Sequence, residues 1–543
     1  MNHRYRHHRY GTTRRIRVGL LGTAIALAVA TVTALAPPPA AYSTVAVTRA
    51  ATQCPLAAPG SVNNDGYADV AVGEPGNNKG RGSAHVFYGH PRSGLVVNPS
   101  GSARNDEYVS QATSGVPGVA EPGDAFGSAT LLADLNGDGC SELIVGSPGE
   151  NDDTGWVQVF FGSAVGLRTS VVQSVSLSAI PGAPRSAPGQ RLGETLAAGD
   201  LDGDGYDDLV AGVAGLRVNG LEAAGGVAVI YGGPNGLNLQ RSTVLTRDTP
   251  GIPGDPQASG GFGTAITVGS FDNDVTPDIA VSSTNGLSGG SVQLLTRTGT
   301  GFTGGEPIGP DTTGMPGDQD RFCFFGAALA SGDVNDDGHA DLAVGDPAYG
   351  CHDEETEFGM GAVVLLRGSP AGLTTTGSQL WTQDSPGVEG TARLGNVFGA
   401  SLAMGPLDRG GHVDLAIGAP GDDGYGSVTL LLGSPDGLTT DGIGGTRYTQ
   451  ATNGIPGTNE SGDAFGETLT APFLQSLSQA TLVIGTPGED VGTIVDAGSI
   501  TQLPMSASGP DPRYAKTITA NTPGVRGKAG RSELFGGGVP RWG

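Results

Sequence analysis

The sequence predicts an all-β fold, a seven-bladed β-propeller of four-stranded antiparallel blades whose ring is closed by the C-terminal strand. Three observations carry this expectation. A nine-residue acidic loop recurs along the chain. A hydrophobic residue and a glycine precede nearly every copy at a fixed distance, and short aliphatic runs bounded by glycine turns follow it.

Three loops are complete: Asp134-Leu-Asn-Gly-Asp-Gly-Cys-Ser-Glu142, Asp200-Leu-Asp-Gly-Asp-Gly-Tyr-Asp-Asp208 and Asp333-Val-Asn-Asp-Asp-Gly-His-Ala-Asp341. Each reads D-x-[DN]-x-D-G-x-x-[DE], with oxygen side chains at positions 1, 3, 5 and 9 around a turn-forming glycine. Calcium takes six to eight hard oxygen ligands at flexible geometry, and alternate residues of a tight loop aim carboxylates and amides at one point. The candidate Ca2+ ligands are therefore Asp134, Asn136, Asp138 and Glu142, then Asp200, Asp202, Asp204 and Asp208, then Asp333, Asn335, Asp337 and Asp341. An EF-hand would carry a bidentate acid at position 12, where this chain has Val145, Ala211 and Val344. Each loop runs instead into an apolar stretch, such as Leu143-Ile-Val145, that reads as a buried strand. The competing reading is a set of plain solvated turns, against which stands the recurrence of the full pattern at one structural position.

Two copies are weaker: Ser61, Asn63, Asp65 and Asp69, with serine first, and Ser270, Asp272, Asp274 and Asp278, with Val275 in place of the glycine. Around Asp408 and Asp414 only two ligand positions survive, and the stretch before Leu482 has none. Those two turns are expected to be metal-free.

Eight residues before each loop after the first stand Phe126-Gly127, Leu192-Gly193, Phe262-Gly263, Phe325-Gly326, Phe398-Gly399 and Phe465-Gly466, a period of 63 to 73 residues. A Gly-x-Pro turn follows five of the loops, as in Gly73-Glu-Pro75 and Gly146-Ser-Pro148. The apolar runs give about four short strands per repeat. Seven such units suit a propeller, whose blades bury their faces against neighbours around a channel. Blades are expected to start near 61, 126, 192, 262, 325, 398 and 465 within a domain spanning 61–543. An unpaired Phe535-Gly536 near the C-terminus predicts that residues 533–543 supply the inner strand of blade 1.

Phe-Gly, the acidic loop and Gly-x-Pro together resemble the FG-GAP repeat of integrin α-subunit head domains, over about nine-tenths of the chain. The resemblance implies a seven-bladed propeller with calcium in loops joining the first two strands of certain blades. It also implies a backbone carbonyl ligand at position 7, from Cys140, Tyr206 and His339, and ligand contacts on the opposite face. Integrin α-subunits continue into leg domains and a membrane span, and share their ligand contacts with a β-subunit; this sequence shows neither. Its complete loops also fall in repeats 2, 3 and 5, not in the later blades. In this it is more similar to free-standing secreted FG-GAP proteins of bacteria.

Six arginines between Arg4 and Arg17 precede an uncharged run from Val18 to Ala36 and then Pro-Pro-Pro-Ala-Ala41. This reads as a secretory signal peptide over residues 1–41, followed by an Ala-, Thr- and Pro-rich linker over 42–60. The run reaches a marginal spanning length, so a membrane anchor is the competing reading. Thr13-Arg14-Arg15 hints at twin-arginine export. Cleavage removes six arginines and no acid, which moves the formal charge from −25 to −31. Nucleic-acid binding is excluded on charge. Four cysteines in a secreted chain suggest two disulfides with three possible connectivities. Cys323 and Cys351 fall at one blade edge and are expected to pair, leaving Cys54 with Cys140.

Catalytic signals are thin. Gly286-Leu-Ser-Gly-Gly290 fits the G-x-S-x-G pattern but no helix follows it. The histidines His85, His90, His339, His352 and His412 are scattered and read as surface or turn residues. Acidic pairs such as Asp152-Asp153, Asp422-Asp423 and Glu489-Asp490 recur after the Gly-Pro turn, which argues for turns over glycosidase carboxylates. With Glu74, Glu150 and Asp346 they would form an acidic rim opposite the calcium loops. Trp156, Trp381 and Trp542 belong to different repeats, so no sugar-stacking platform is read. The expected function is a secreted, monomeric, calcium-binding propeller that engages a protein or polysaccharide ligand at the cell surface or matrix. The alternative is an extracellular hydrolase using the propeller channel.

Overall fold

The computed structural model describes residues 54, 59–97, 106–274, 276–284, 289–299, 301–351, 359–475, 479–506 and 509–537. The signal-peptide reading, most of the linker, residues 286–288 of the G-x-S-x-G motif, His352, Trp542 and residues 538–543 of the expected closing strand 533–543 lie outside them.

Blade 2 shows how the sequence makes a blade. Its strands Ala129–Ala133, Glu142–Ser147, Trp156–Phe161 and Arg168–Val175 pair antiparallel in chain order. The register sets Ala133 against Glu142 and Leu143 against Phe160. The second strand is buried along its whole length, because both of its faces meet neighbouring blades, so it reads as an unbroken aliphatic run. The outer strand carries polar residues, since only its inner side is covered. Blades 2 to 7 each have at least four strands; among the described residues blade 1 has three, Val70–Glu74, Ser83–Phe87 and Asp106–Val109.

The core is not one mass but seven layers, one between each pair of adjacent blades. The layer joining blade 7 to blade 1 gathers Val70, Val72, Phe87, Val483, Ile500, Ile518 and Phe535, so packing runs all the way around the ring. The chain is a seven-bladed β-propeller.

The Phe-Gly and Gly-x-Pro motifs explain each other. The phenylalanine of one blade is fully buried and its backbone bridges the glycine that opens the third strand of the blade before, as Phe126 does with Gly82. The following glycine then lies backbone to backbone on the glycine of the preceding Gly-x-Pro. A Cβ on Gly146 would stand 1.9 Å from the Gly193 carbonyl oxygen, and one on Gly345 would stand 2.1 Å from that of Gly399. Only glycine tolerates such an approach.

Candidate metal centres

Each acidic loop joins the inner strand of its blade to the second strand. The side chains fold the loop onto itself first. At position 1, Asp134 Oδ2, Asp200 Oδ2 and Asp333 Oδ2 accept from the N–H of Gly139, Gly205 and Gly338 at 2.9, 2.8 and 2.8 Å. Those glycines at position 6 have φ of 88°, 89° and 89°, which explains why the pattern needs them. At position 5, Asp138, Asp204 and Asp337 each accept from the amide two residues on. Backbone contacts thus orient these carboxylates, and Asp200 and Asp333 accept through both oxygens, Oδ1 taking the amides of Asp204 and Asp337.

Position 9 has a second job. Asp208 Oδ2 accepts from Leu201 N at 2.9 Å and Oδ1 from Gly232 N at 2.8 Å, tying loop, second strand and third-strand end together. Asp69 and Asp341 make the same pair of contacts, and so does Asp414 in blade 6, where the cage is lost. The acid at this position is a structural clamp as well as a candidate ligand.

The loops converge to different degrees. In blade 3 carboxylate oxygens of Asp200, Asp202 and Asp208 lie within 4.8 Å of one another, and in blade 4 so do those of Asp272, Asp274 and Asp278. Burial, with the charges of Asp202 and Asp200, pushes Asp208 up to about 8. Asp278, buried beside Asp272 and Asp274, rises to about 7. In blade 2, Asn136 Nδ2 donates to Glu142 Oε1 at 2.8 Å, and burial beside Asp134 and Asp138 holds Glu142 well above the usual carboxylate range. In blade 5, Asn335 Nδ2 donates to Asp337 Oδ2 at 2.7 Å while Asn335 Oδ1 is buried and unpartnered. In blade 1, Asn63 links to Asp65 at 3.0 Å, and Asp69 is committed to the backbone. Crowded, buried hard-oxygen donors, with an orphaned oxygen in blade 5, fit a divalent cation.

Side chains from outside the loops also reach them. Arg241, on the outer strand of blade 3, pairs with Asp202 and, at 3.4 Å, with Asp204, while its guanidinium lies over the Tyr231 ring. Arg367 Nη1 donates to Asp341 Oδ2 at 3.0 Å. No loop motif signals these arginines, since each lies more than twenty residues from its acid. Cys54 is bonded to Cys140, at position 7 of the blade 2 loop, and Cys54 N donates to Asp138 O at 3.0 Å. Cys323 is bonded to Cys351.

Two readings of the sequence are corrected. Glu74, Glu150 and Asp346 do not form an exposed rim; each is buried. Asp346, for example, accepts from the amides of Cys323, Phe324 and Ala348. His85 is likewise no surface residue: it is fully buried between Asp106, with Nδ1 3.1 Å from Oδ2, and Glu74. The x of Gly-x-Pro and the middle of the third strand are buried and hydrogen-bonded, Glu74 to Ser83 and Asn77, Asp346 to backbone amides.

A closed ring of seven blades with acidic loops between first and second strands defines the class, a repeat propeller with clustered carboxylates. Residues 57–87, 126–160, 192–230 and 325–364 match the family described as FG-GAP repeat. The chain is 38% identical over 169 residues to phosphatidylinositol-glycan-specific phospholipase D of Bos taurus, covering 30% of this chain and 19% of that protein. It is 30% identical over 264 residues to integrin alpha-8 of Mus musculus, covering 47% and 22%. Integrin alpha-IIb of Homo sapiens is 31% identical over 184 residues, covering 33% and 16%. The chain spans about a fifth of the length of these relatives. These matches support an FG-GAP, integrin α-like family.

Proposed function

We propose that this chain is a secreted, calcium-stabilised propeller that binds a protein or polysaccharide ligand at the cell surface or matrix. The observation that supports it is the gathering of three carboxylates at the same structural position in blades 3 and 4. Asp200, Asp202, Asp204 and Asp208 would hold one ion, and the corresponding side chains of blades 2, 4 and 5 would hold others. Bound calcium supplies charge neutralisation that lets a buried acidic loop stay folded. The disulfides, and the integrin relatives, favour an extracellular setting. Among the described residues no helix is long and apolar enough to cross a membrane.

The test is a pull-down of the protein against cell-wall, glycan and matrix fractions in about 1 mM calcium and in chelator, with circular dichroism alongside. Capture that depends on calcium is the expected result. No capture in either condition, with turnover in an esterase or phosphodiesterase panel, would replace this reading with the hydrolase one.

A further inference from the structure

At the ends of the blades opposite the acidic loops, buried polar clusters sit where the chain passes from one blade to the next. Blade 6 shows the complete form. There Asn396 Nδ2 donates to Gln383 Oε1 at 2.7 Å and to Asp422 Oδ1 at 3.0 Å. Asp422 Oδ2 accepts from Ser427 Oγ and from Arg447 Nε, each at 2.6 Å. The carboxylate, the guanidinium, the Asn396 amide and the Gln383 oxygen satisfy one another, and the atom left without a partner is the Gln383 nitrogen, not an oxygen.

Blades 2 and 7 keep the glutamine and the acid but replace the asparagine with aspartate. The sets are Gln111, Asp124 and Glu150, and Gln450, Asp463 and Glu489. The arginine is gone too, its position on the outer strand being Ser174 and Thr517. In blade 2, Arg81 Nε and Nη1 donate to the carbonyls of Ala120 and Asn78, so this guanidinium acts on Asp124 only through its charge. An ionised aspartate cannot donate as Asn396 does. The consequence is visible at both sites: the amide nitrogens of Gln111 and Gln450 donate to Glu150 and Glu489, while Gln111 Oε1 and Gln450 Oε1 are buried with no hydrogen-bond partner. Gln111 and Gln450 are 4% and 1% exposed, and Asp124 and Asp463 are 3% and 1% exposed. Burial and the nearby Asp124 raise Glu150, and burial, with the charges of Glu489 and its neighbours, takes Asp463 up to about 7.

We propose that each of these two clusters binds a hard divalent cation of the calcium class, held by its two carboxylates and the glutamine oxygen. The donor set is all oxygen, with no nitrogen or sulfur, and carries two negative charges. A cation neutralises both carboxylates and partners the orphaned amide oxygen; a shared proton would do only half of this. The sites pin blade 2 to blade 1 and blade 7 to blade 6, on either side of the seam where the ring closes.

Asp124→Asn and Asp463→Asn restore the asparagine of blade 6, whose amide donates to the glutamine oxygen and the acid, and leave the volume unchanged, so they separate metal loss from misfolding. Calcium bound per full chain, measured by equilibrium dialysis with elemental analysis, should fall by one in each variant and by two in the double variant. Asp200→Asn serves as an independent acidic-loop control, so failure of either kind of site is scored separately. The rise in melting temperature on adding calcium should shrink in parallel. An unchanged calcium count in both variants overturns the proposal, and a higher melting temperature in chelator alongside that unchanged count would assign the clusters a shared proton instead.

Discussion

The backbone N–H of Gly536 donates to the carbonyl oxygen of Gly73 at 3.1 Å, joining the last repeat motif of the chain to the first blade. It is the contact that Gly127 makes with Gly146 inside blade 2, at 3.0 Å. Phe535 meanwhile bridges Gly498 of blade 7, as Phe126 bridges Gly82. The last Phe-Gly therefore occupies the place that blade 1 lacks in its own sequence. Beside it runs a crevice lined by Val70, Val72, Thr130, Thr468 and Val483. Deleting residues 533–543 is expected to remove the Gly536 contact with Gly73 and the Phe535 packing, and to lower the melting temperature. An unchanged melting transition would mean that this segment is not the inner strand of blade 1.

The contact between motif glycines gives a sharper test. Gly146→Ala drives a methyl group to within 1.9 Å of the Gly193 carbonyl, where two backbones would have to part. The expected cost is more than about 4 kcal/mol, above the roughly 1–3 kcal/mol usual for core overpacking because backbone on both sides must move. Gly301→Ala, at a position with nothing within 4 Å, should stay within about 0.5 kcal/mol. Urea denaturation of both variants settles it; similar midpoints would show that the blades slide apart at little cost.

Arg241 competes with any cation for Asp202 and Asp204. The guanidinium is 46% exposed, so the pair is worth only about 0.2–1 kcal/mol. Arg241→Gln should then tighten calcium binding at blade 3 by about two- to fivefold. Calorimetric titration reads this directly, and weaker binding in the variant would make the arginine a support of the loop rather than a rival for it.

The fold was legible because its decisive contact repeats. Phe-Gly and Gly-x-Pro recur at fixed spacing since the same two glycines meet at each blade junction, and the acidic loops stand out for the same reason. What recurs less, or arrives from elsewhere, was hidden. Glu74, Glu150 and Asp346 follow turn glycines and looked like rim residues, yet each is buried against polar partners, Ser83, Gln111 and the Cys323 amide. Asp414 keeps the position 9 acid without a cage, because its backbone clamp is needed whether or not metal binds. Arg241 and Arg367 come from strands outside the loops they touch, so no local pattern marks them.

His85 turns the seam into a pH-dependent joint. Burial alone would lower the imidazole, but Asp106 and Glu74 more than offset it, and its affinity for a proton ends above the ordinary value. Tyr108 and Phe535 pack edge-on against the ring, Phe87 stacks on it, and Glu533 adds a further carboxyl group close to Glu74. Because the folded state holds the proton more tightly than the unfolded chain, this contribution is complete below about pH 6.5. It is lost as pH rises through the raised value. His85→Gln places at this position the residue that blade 2 carries at its equivalent, Gln158, and removes the titration. The melting temperature of the wild type should fall relative to that of the variant as pH is raised from about 6 to 8. Parallel curves for the two proteins would show that the buried histidine does not change charge in this range.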